Sequence, residues 1–169
     1  MIRRFSPEDA VALHGYLSRP EAVQFEPYGL HTLEDCYRVA AERANDERFL
    51  AVSLGDGTLV DNLYLAPEGP EYWNTWQIGY VFHPDHWGQG YATESLSALL
   101  EELFSHQMAH RVVARCNPLN TRSWRLLERV GLRREAHHLA AASFAQDING
   151  ALVWHDTYVY ALLDTEWDC

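Results

Sequence analysis

The sequence predicts one α/β (or α+β) domain over residues 1–169, a mixed sheet flanked by helices. Three observations carry this. Candidate strands and helices are interspersed along the chain rather than segregated by type. Leu96, Leu99, Leu100, Leu103 and Phe104 fall at i, i+3, i+4, i+7 and i+8, the repeat of an amphipathic helix. A chain of 169 residues that is 47% hydrophobic can bury one sizeable core.

The elements follow in order. Ile2 to Phe5 reads as a first strand. Ser6-Pro7-Glu8-Asp9 opens a helix, with Ser at the N-cap, Pro at N1 and an acid at N3; its apolar positions are Val11, Leu13 and Leu17. Pro20 starts a short helical turn. Thr32-Leu33-Glu34-Asp35 reads as a capping box, with Tyr37, Ala40, Ala41 and Ala44 on one face of the helix it opens. Phe49 to Leu54 and Thr58 to Leu65 are strands joined by the turn Gly55-Asp56-Gly57. Pro67 to Pro70 is a loop, and Trp73 to Phe82, rich in aromatic and β-branched residues, is a strand. The amphipathic helix runs on from Thr93. Arg111 to Cys116 is a strand, and Asn117-Pro118-Leu119-Asn120 turns into a helix with Leu126, Leu127 and Val130 inward, stopped by Gly131. Leu132 to Phe144 and Ala151 to Leu163 are late strands joined at Asp147-Ile148-Asn149-Gly150.

Charge removes several chemistries. All 13 cations are arginine, set against 24 acids, for a net charge of −11. Without lysine there is no Schiff base, no lysine general base and no P-loop. An acidic chain is a poor partner for nucleic acid or an anionic membrane, and suits a cationic one. The charge is uneven. Residues 111 to 134 hold seven arginines and one acid, Glu128, a net +6 that leaves −17 for the rest.

No apolar run approaches the roughly 18 residues of a membrane span, and the N-terminal residues lack a secretory pattern. Cys36, Cys116 and Cys169 fit neither a disulfide framework nor a zinc pattern, and no His/Cys/Asp spacing suggests a metal. A reducing cytoplasm is the expected setting.

The segment with chemistry in it is Trp87-Gly88-Gln89-Gly90-Tyr91-Ala92-Thr93, between a strong strand and the strongest helix. Glycines let the backbone turn tightly and approach a ligand, and free N–H groups at a helix start favour an anion such as a phosphate. A dinucleotide fingerprint needs a third glycine where Thr93 stands.

The wider segment Ile78-Gly79-Tyr80, Pro84 and Trp87 to Glu94 resembles the acetyl-CoA-binding motif of the GNAT N-acetyltransferases, in particular the ribosomal-protein N-terminal acetyltransferase (RimJ/RimL-like) branch. Gly90 and Ala92 match the motif Gln/Arg-x-x-Gly-x-Gly/Ala, and Trp87 replaces its first residue. Two more blocks are similar, Asn117 to Ser123 with Leu127 to Glu135, and Gly150 with Trp154 to Leu163. The resemblance spans nearly the whole chain. It implies a strongly twisted mixed sheet with a central splay that takes the cofactor.

It also implies roles. Phe82 and His83 offer backbone groups to the pantetheine arm and thioester. Trp87, Gly88, Gln89, Gly90, Tyr91, Ala92 and Thr93 cradle the pyrophosphate, and Asn120 bonds the pantetheine arm. Ser123 matches the serine that assists the leaving thiolate in the ribosomal branch, because the tyrosine many relatives use is Leu127 here. Glu135 matches the family glutamate that serves as base, with His138 and Asp156 as alternatives. Arg122, Arg125 and Arg129 share one helical face, and Arg125 is the candidate for the 3′-phosphate of coenzyme A. Most of the six Trp and nine Tyr are expected in the core; Tyr28, Trp73 and Trp154 are candidates for an acceptor pocket.

The expected activity is acetyl transfer from acetyl-CoA to a primary amine by direct attack in a ternary complex, without a metal. The acceptor is a protein N-terminal α-amine or a small amine. A homodimer is expected by resemblance. A non-catalytic acyl-CoA-binding module with the same fold is the alternative, and a nucleotide-binding protein a third reading.

Overall fold

Capping boxes form at the Ser6 N-cap and, as expected, at Thr32, and set where the first helical segments begin. In this computed structural model, which describes residues 1–167, the Asp9 carboxylate accepts from the Ser6 N–H at 2.9 Å. Thr32 Oγ1 accepts from the Asp35 N–H at 3.1 Å, and Asp35 accepts from the Thr32 N–H at 2.9 Å. Each box satisfies N–H groups that the first helical turn leaves without partners. Cys169 lies outside the described residues.

The described strands are β1 (Ile2–Arg4), β2 (Phe49–Ser53), β3 (Leu59–Pro67), β4 (Thr75–Phe82), β5 (Arg111–Cys116), β6 (Arg133–Gln146) and β7 (Leu152–Leu163). The α-helices are α1 (Ala10–Leu17), α2 (Pro20–Val23), α3 (Leu33–Ala44), α4 (Tyr91–Glu101) and α5 (Thr121–Arg129). This is the expected α/β class. No described helix is long and apolar enough to cross a membrane.

The chain divides into two compact units. The first holds Met1–Gln24, Gly29–Ala66 and Ile78–Ser95. Here β1 pairs antiparallel with β2 (Arg4 opposite Leu50), and β2 with β3 (Phe49 opposite Tyr64). Helices α1 and α3 pack together, and Leu13, Leu17, Cys36, Ala40, Ala51, Val60, Leu63 and Ile78 form the core. Polar groups are buried with them. The Tyr16 hydroxyl donates to Asn62 Oδ1 at 2.8 Å. The Arg43 guanidinium lies 5.5 Å from the Phe5 ring centroid and 4.9 Å from that of Phe49. Asp61 is fully buried, and neither carboxylate oxygen has a well-aligned hydrogen-bond partner.

The second unit holds Phe25–Tyr28, Pro67–Gln77 and the chain from Leu96 on. β5 pairs antiparallel with β7 (Cys116 opposite Tyr158), and β7 with β6 (His137 opposite Tyr158), giving the order β5-β7-β6. Helix α4 continues into a π turn, Glu102–His106, closed by the Gln107 N–H on the Glu102 carbonyl at 3.0 Å. The core is Leu96, Leu99, Leu100, Leu103, Val112, Ala114, Leu126, Leu127, Leu132, Tyr160 and Leu162.

Several expectations are corrected. Val11 is exposed, because at 100° per residue it points away from the Leu13–Leu17 face. The buried face of α3 is Cys36, Ala40 and Arg43, whereas Tyr37 and Ala41 are exposed. Helix α4 starts two residues before Thr93, and Trp73 belongs to a 3₁₀ turn that precedes β4. Of the fifteen Trp and Tyr, only Tyr16 and Tyr160 are buried, so most are not core.

Candidate active site

The loop from Phe82 to Tyr91 is held from several sides within the first unit. The Trp87 indole N–H donates to the Phe82 carbonyl at 3.0 Å, and the Gln89 amide donates to the Asp85 carbonyl at 3.0 Å. Asp85 also takes Arg19 as an ion-pair partner. Gly88 and Gly90 have φ of +75° and +89°, and a Cβ built on either meets nothing within 4 Å. Glycine is therefore required here by backbone conformation, and the space over the loop is open. The first i→i−4 bond of α4 runs from the Glu94 N–H to the Gly90 carbonyl at 3.0 Å. The N–H groups of Tyr91, Ala92 and Thr93 precede it, so this end has the donors and the positive dipole end that a phosphate needs.

His83 lies at the start of this loop. Its Nδ1 accepts from the Asp85 N–H at 3.2 Å, which makes Nε2 the protonated nitrogen of the neutral ring. The ring packs 5.7 Å from Tyr16 and 5.2 Å from His86, and His86 lies 6.2 Å from Tyr91. A Cβ at Gly15 would stand 3.3 Å from His83 Nε2, so the small residue on α1 makes room for the imidazole. Burial pushes the His83 pKa down, and Asp85 opposes it.

The remaining candidates lie in the second unit. Asn120 caps α5, its Oδ1 accepting from the Ser123 N–H at 3.2 Å. That leaves its amide NH₂ as the donating end. The Ser123 side chain is hydrogen-bonded to the Cys116 thiol; burial pushes that thiol up to about 11, with Ser123 pulling the other way. Arg125 is exposed, 5.3 Å from the Trp124 ring, and no ion pair to it occurs among the described residues.

Glu135 is held by Arg111 and by Arg133, the latter at 2.7 Å. Its pKa is pushed down, first by the Arg111 hydrogen bond. A carboxylate so held is a weak base. Asp156 is paired with His137 at 2.8 Å, and not with the neighbouring candidate His138. Register decides this, since a one-residue shift along a strand reverses the face.

The basic segment is also largely accounted for. Arg115 makes two 2.7 Å bonds to Glu68, Arg133 also reaches Glu166, and Arg134 lies 4.4 Å from the Tyr158 ring. Trp73 lines a cleft of about 580 Å³ with Glu68, Arg111, Val113, Arg115 and Val159. Trp154 is exposed on the β6–β7 hairpin, and Tyr28 is half-buried.

Residues 1–133 match the family described as the acetyltransferase (GNAT) domain. The chain belongs to the GNAT acetyltransferase family. It is 31% identical over 170 residues to the uncharacterized N-acetyltransferase YnaD of Bacillus subtilis, covering 99% of this chain and 95% of that protein. The crystal structure of a GNAT-family acetyltransferase from Bacillus anthracis is 31% identical and superposes with a TM-score of 0.88, covering 98% of this chain and 95% of that one. Two more distant acetyltransferase structures share the fold. The ribosomal-protein-S5-alanine acetyltransferase of Vibrio fischeri has 19% identity, a TM-score of 0.77, and coverage of 99% and 94%. The spermidine N-acetyltransferase of Vibrio cholerae, in complex with CoA and spermine, has 16% identity, a TM-score of 0.78, and coverage of 98% and 96%. As a GNAT acetyltransferase the protein is an N-acetyltransferase, and the family uses acetyl-CoA.

Proposed function

We propose that this enzyme transfers the acetyl group of acetyl-CoA to a cationic primary amine by direct attack, with no covalent enzyme intermediate. The observation that carries the reading is the loop from Trp87 to Gly90. It has two left-handed glycines with open space above them, and it leads directly into the N-terminal turn of α4. These residues fit the pyrophosphate of coenzyme A. Asn120 is assigned to the pantetheine arm and Arg125 to the 3′-phosphate, as the family resemblance implies. When bound, acetyl-CoA supplies an activated thioester.

The chain's own residues do the rest. The backbone near Phe82 and His83 is assigned to hydrogen-bond the thioester oxygen. The Ser123 hydroxyl is assigned to stabilise the departing thiolate by a hydrogen bond, as the family resemblance implies. The amine must lose a proton, and its free pKa is about 10. Glu135 is committed to two arginines, so the proposed route for that proton is a water relay.

The acceptor class rests on charge. The net charge is −11, and the acids Glu68, Glu135 and Glu166 answer the arginines of the basic segment. The distant relatives act on a ribosomal-protein alanine and on spermidine. Thiol release from acetyl-CoA, followed across N-terminal peptides and polyamines, tests the proposal. Amine-dependent release with at least one of them is expected. Tight coenzyme A binding with no amine-dependent release from any of them would establish the binding-module alternative instead.

A further inference from the structure

The segment between β3 and β4 is built around one open tryptophan. The Glu68 N–H donates to the Thr75 carbonyl at 2.8 Å, and the Trp73 N–H to the Pro70 carbonyl at 2.9 Å. Asn74, at φ +46°, accepts from the His110 N–H at 2.9 Å and donates its side-chain amide to the Met108 carbonyl. The Trp73 ring packs against Gly69, where an added Cβ would stand 2.6 Å from an indole carbon. The backbone thus fixes the indole while 53% of the residue stays in water. This is the tryptophan that lines the 580 Å³ cleft of the second unit.

Strand β5 supplies Arg111, Val113 and Arg115 to the same cleft. They stand at i, i+2 and i+4, so one face of the strand lines it. Buried Val113 and half-buried Val159 give it apolar lining. The arginines are held in place. Arg115 makes two 2.7 Å bonds to Glu68, and Arg111 bonds Glu135 through both terminal nitrogens. A guanidinium has five N–H groups, so each arginine keeps three that its glutamate does not use. Glu68 is in the opposite position. Both its oxygens are taken by Arg115, whose hydrogen bond pushes its pKa down and keeps it charged. The cleft therefore has spare donors beside a fixed aromatic ring, and its one carboxylate is already engaged.

We propose that this cleft binds a small aromatic carboxylate, its ring on Trp73 and its carboxylate on the unused N–H groups of Arg111 and Arg115. Guanidinium donors form strong, directional bonds to a carboxylate, and an indole offers a stacking surface to a second ring. The volume lies within the range of small-molecule sites. A cationic ligand finds no unengaged acid there. The ligand is thus opposite in charge to the amine proposed as acetyl acceptor, and this is a second site with its own specificity.

The proposal does not rest on acetyl transfer, and binding tests it without turnover. Indole-3-acetate is titrated into the full ¹⁵N-labelled chain, with acetate as the control lacking the ring and tryptamine as the control lacking the carboxylate. Saturable binding with Kd of about 1 mM or tighter is expected, as for other ligands of this size. The amides that shift should be those of residues 68–75 and 111–115. Each control should bind at least ~10-fold more weakly, and so should indole-3-acetate to Trp73→Ala or to Arg115→Gln. Arg38→Gln, at an exposed arginine of α3, is expected to bind normally. Saturating coenzyme A should leave Kd unchanged in the wild type, a readout that stands with the shift map if the variants fail to fold. No saturable binding, shifts confined to other amides, either control binding as well as the acid, or displacement by coenzyme A overturns the proposal. So does wild-type affinity in a folded Trp73→Ala or Arg115→Gln chain.

Discussion

The Trp87 indole N–H donates to the Phe82 carbonyl at 3.0 Å, tying the glycine loop to the last residue of β4. One side chain thus couples the segment assigned to the phosphates with the strand end assigned to the thioester. Trp87→Phe keeps a ring and removes the donor. A typical net hydrogen bond contributes about 1 kcal/mol, so KM for acetyl-CoA is expected to rise ~5-fold with a smaller change in kcat. Steady-state kinetics decides; an unchanged KM means the loop keeps its shape without this bond.

Gly90→Ala isolates the backbone requirement. Nothing stands within 4 Å of the added Cβ, so the cost comes from φ of +89° alone, about 1–2 kcal/mol. Coenzyme A affinity by calorimetry is expected to drop ~10-fold. Gly29→Ala, with no left-handed φ and the same open space, is the control and should bind normally.

Ser123→Ala is expected to lower kcat by about 10-fold or more while coenzyme A affinity barely changes. The Cys116 thiol loses a partner as well, so a thermal melt accompanies the kinetics. Full turnover in this variant would remove Ser123 from the mechanism.

Glu135→Gln separates a base from an ion-pair partner. The proposed relay predicts a kcat–pH profile that keeps its acid limb, because water, not this carboxylate, takes the proton. Loss of the acid limb and of most of kcat would instead make Glu135 the base. The ion pairs hold the folded pKa below its unfolded value, so their stabilisation is present above the unfolded pKa and fades as pH falls through the folded one.

Asp61→Asn removes a pH dependence. Burial pushes the Asp61 pKa well up, with the Val81 and Asn62 backbone and Arg43 opposing it only in part. The native state keeps a proton that the unfolded chain releases near pH ~4, so Asp61 makes stability fall as pH rises from there through the folded pKa. Asn carries no charge at any pH, and urea unfolding at about pH 5 and about pH 8 should show the variant gaining on the wild type at the higher value. An equal difference at both would mean that Asp61 is not protonated in the native state.

Much of the local structure was legible in the sequence. The N-cap at Ser6, the capping box at Thr32, the Leu96–Phe104 repeat and the Gly131 stop all stand where they were read. So do the β5 boundaries, the turn before α5 and the glycine loop. The partners were not legible. Glu135 matched a family position, and nothing near it in sequence shows that Arg111, 24 residues away, would hold its carboxylate. His138 was named as a candidate and its neighbour His137 was not; only the pairing with β7 tells which of the two meets Asp156.

The sequence by itself determined the α/β class, the family, the positions of the caps and turns, and the glycine-rich segment proposed for the phosphates. These depend on interactions within about four residues, or on a motif whose order survives in the chain. The tertiary structure alone decided which arginines are already paired, which carboxylate is buried without a well-aligned hydrogen-bond partner, and which apolar residues stay in water. Those outcomes depend on strand register and on neighbours such as Glu68 and Arg115, 47 residues apart. A single step of register exchanges the two faces of a strand, so no periodicity in the chain can specify them.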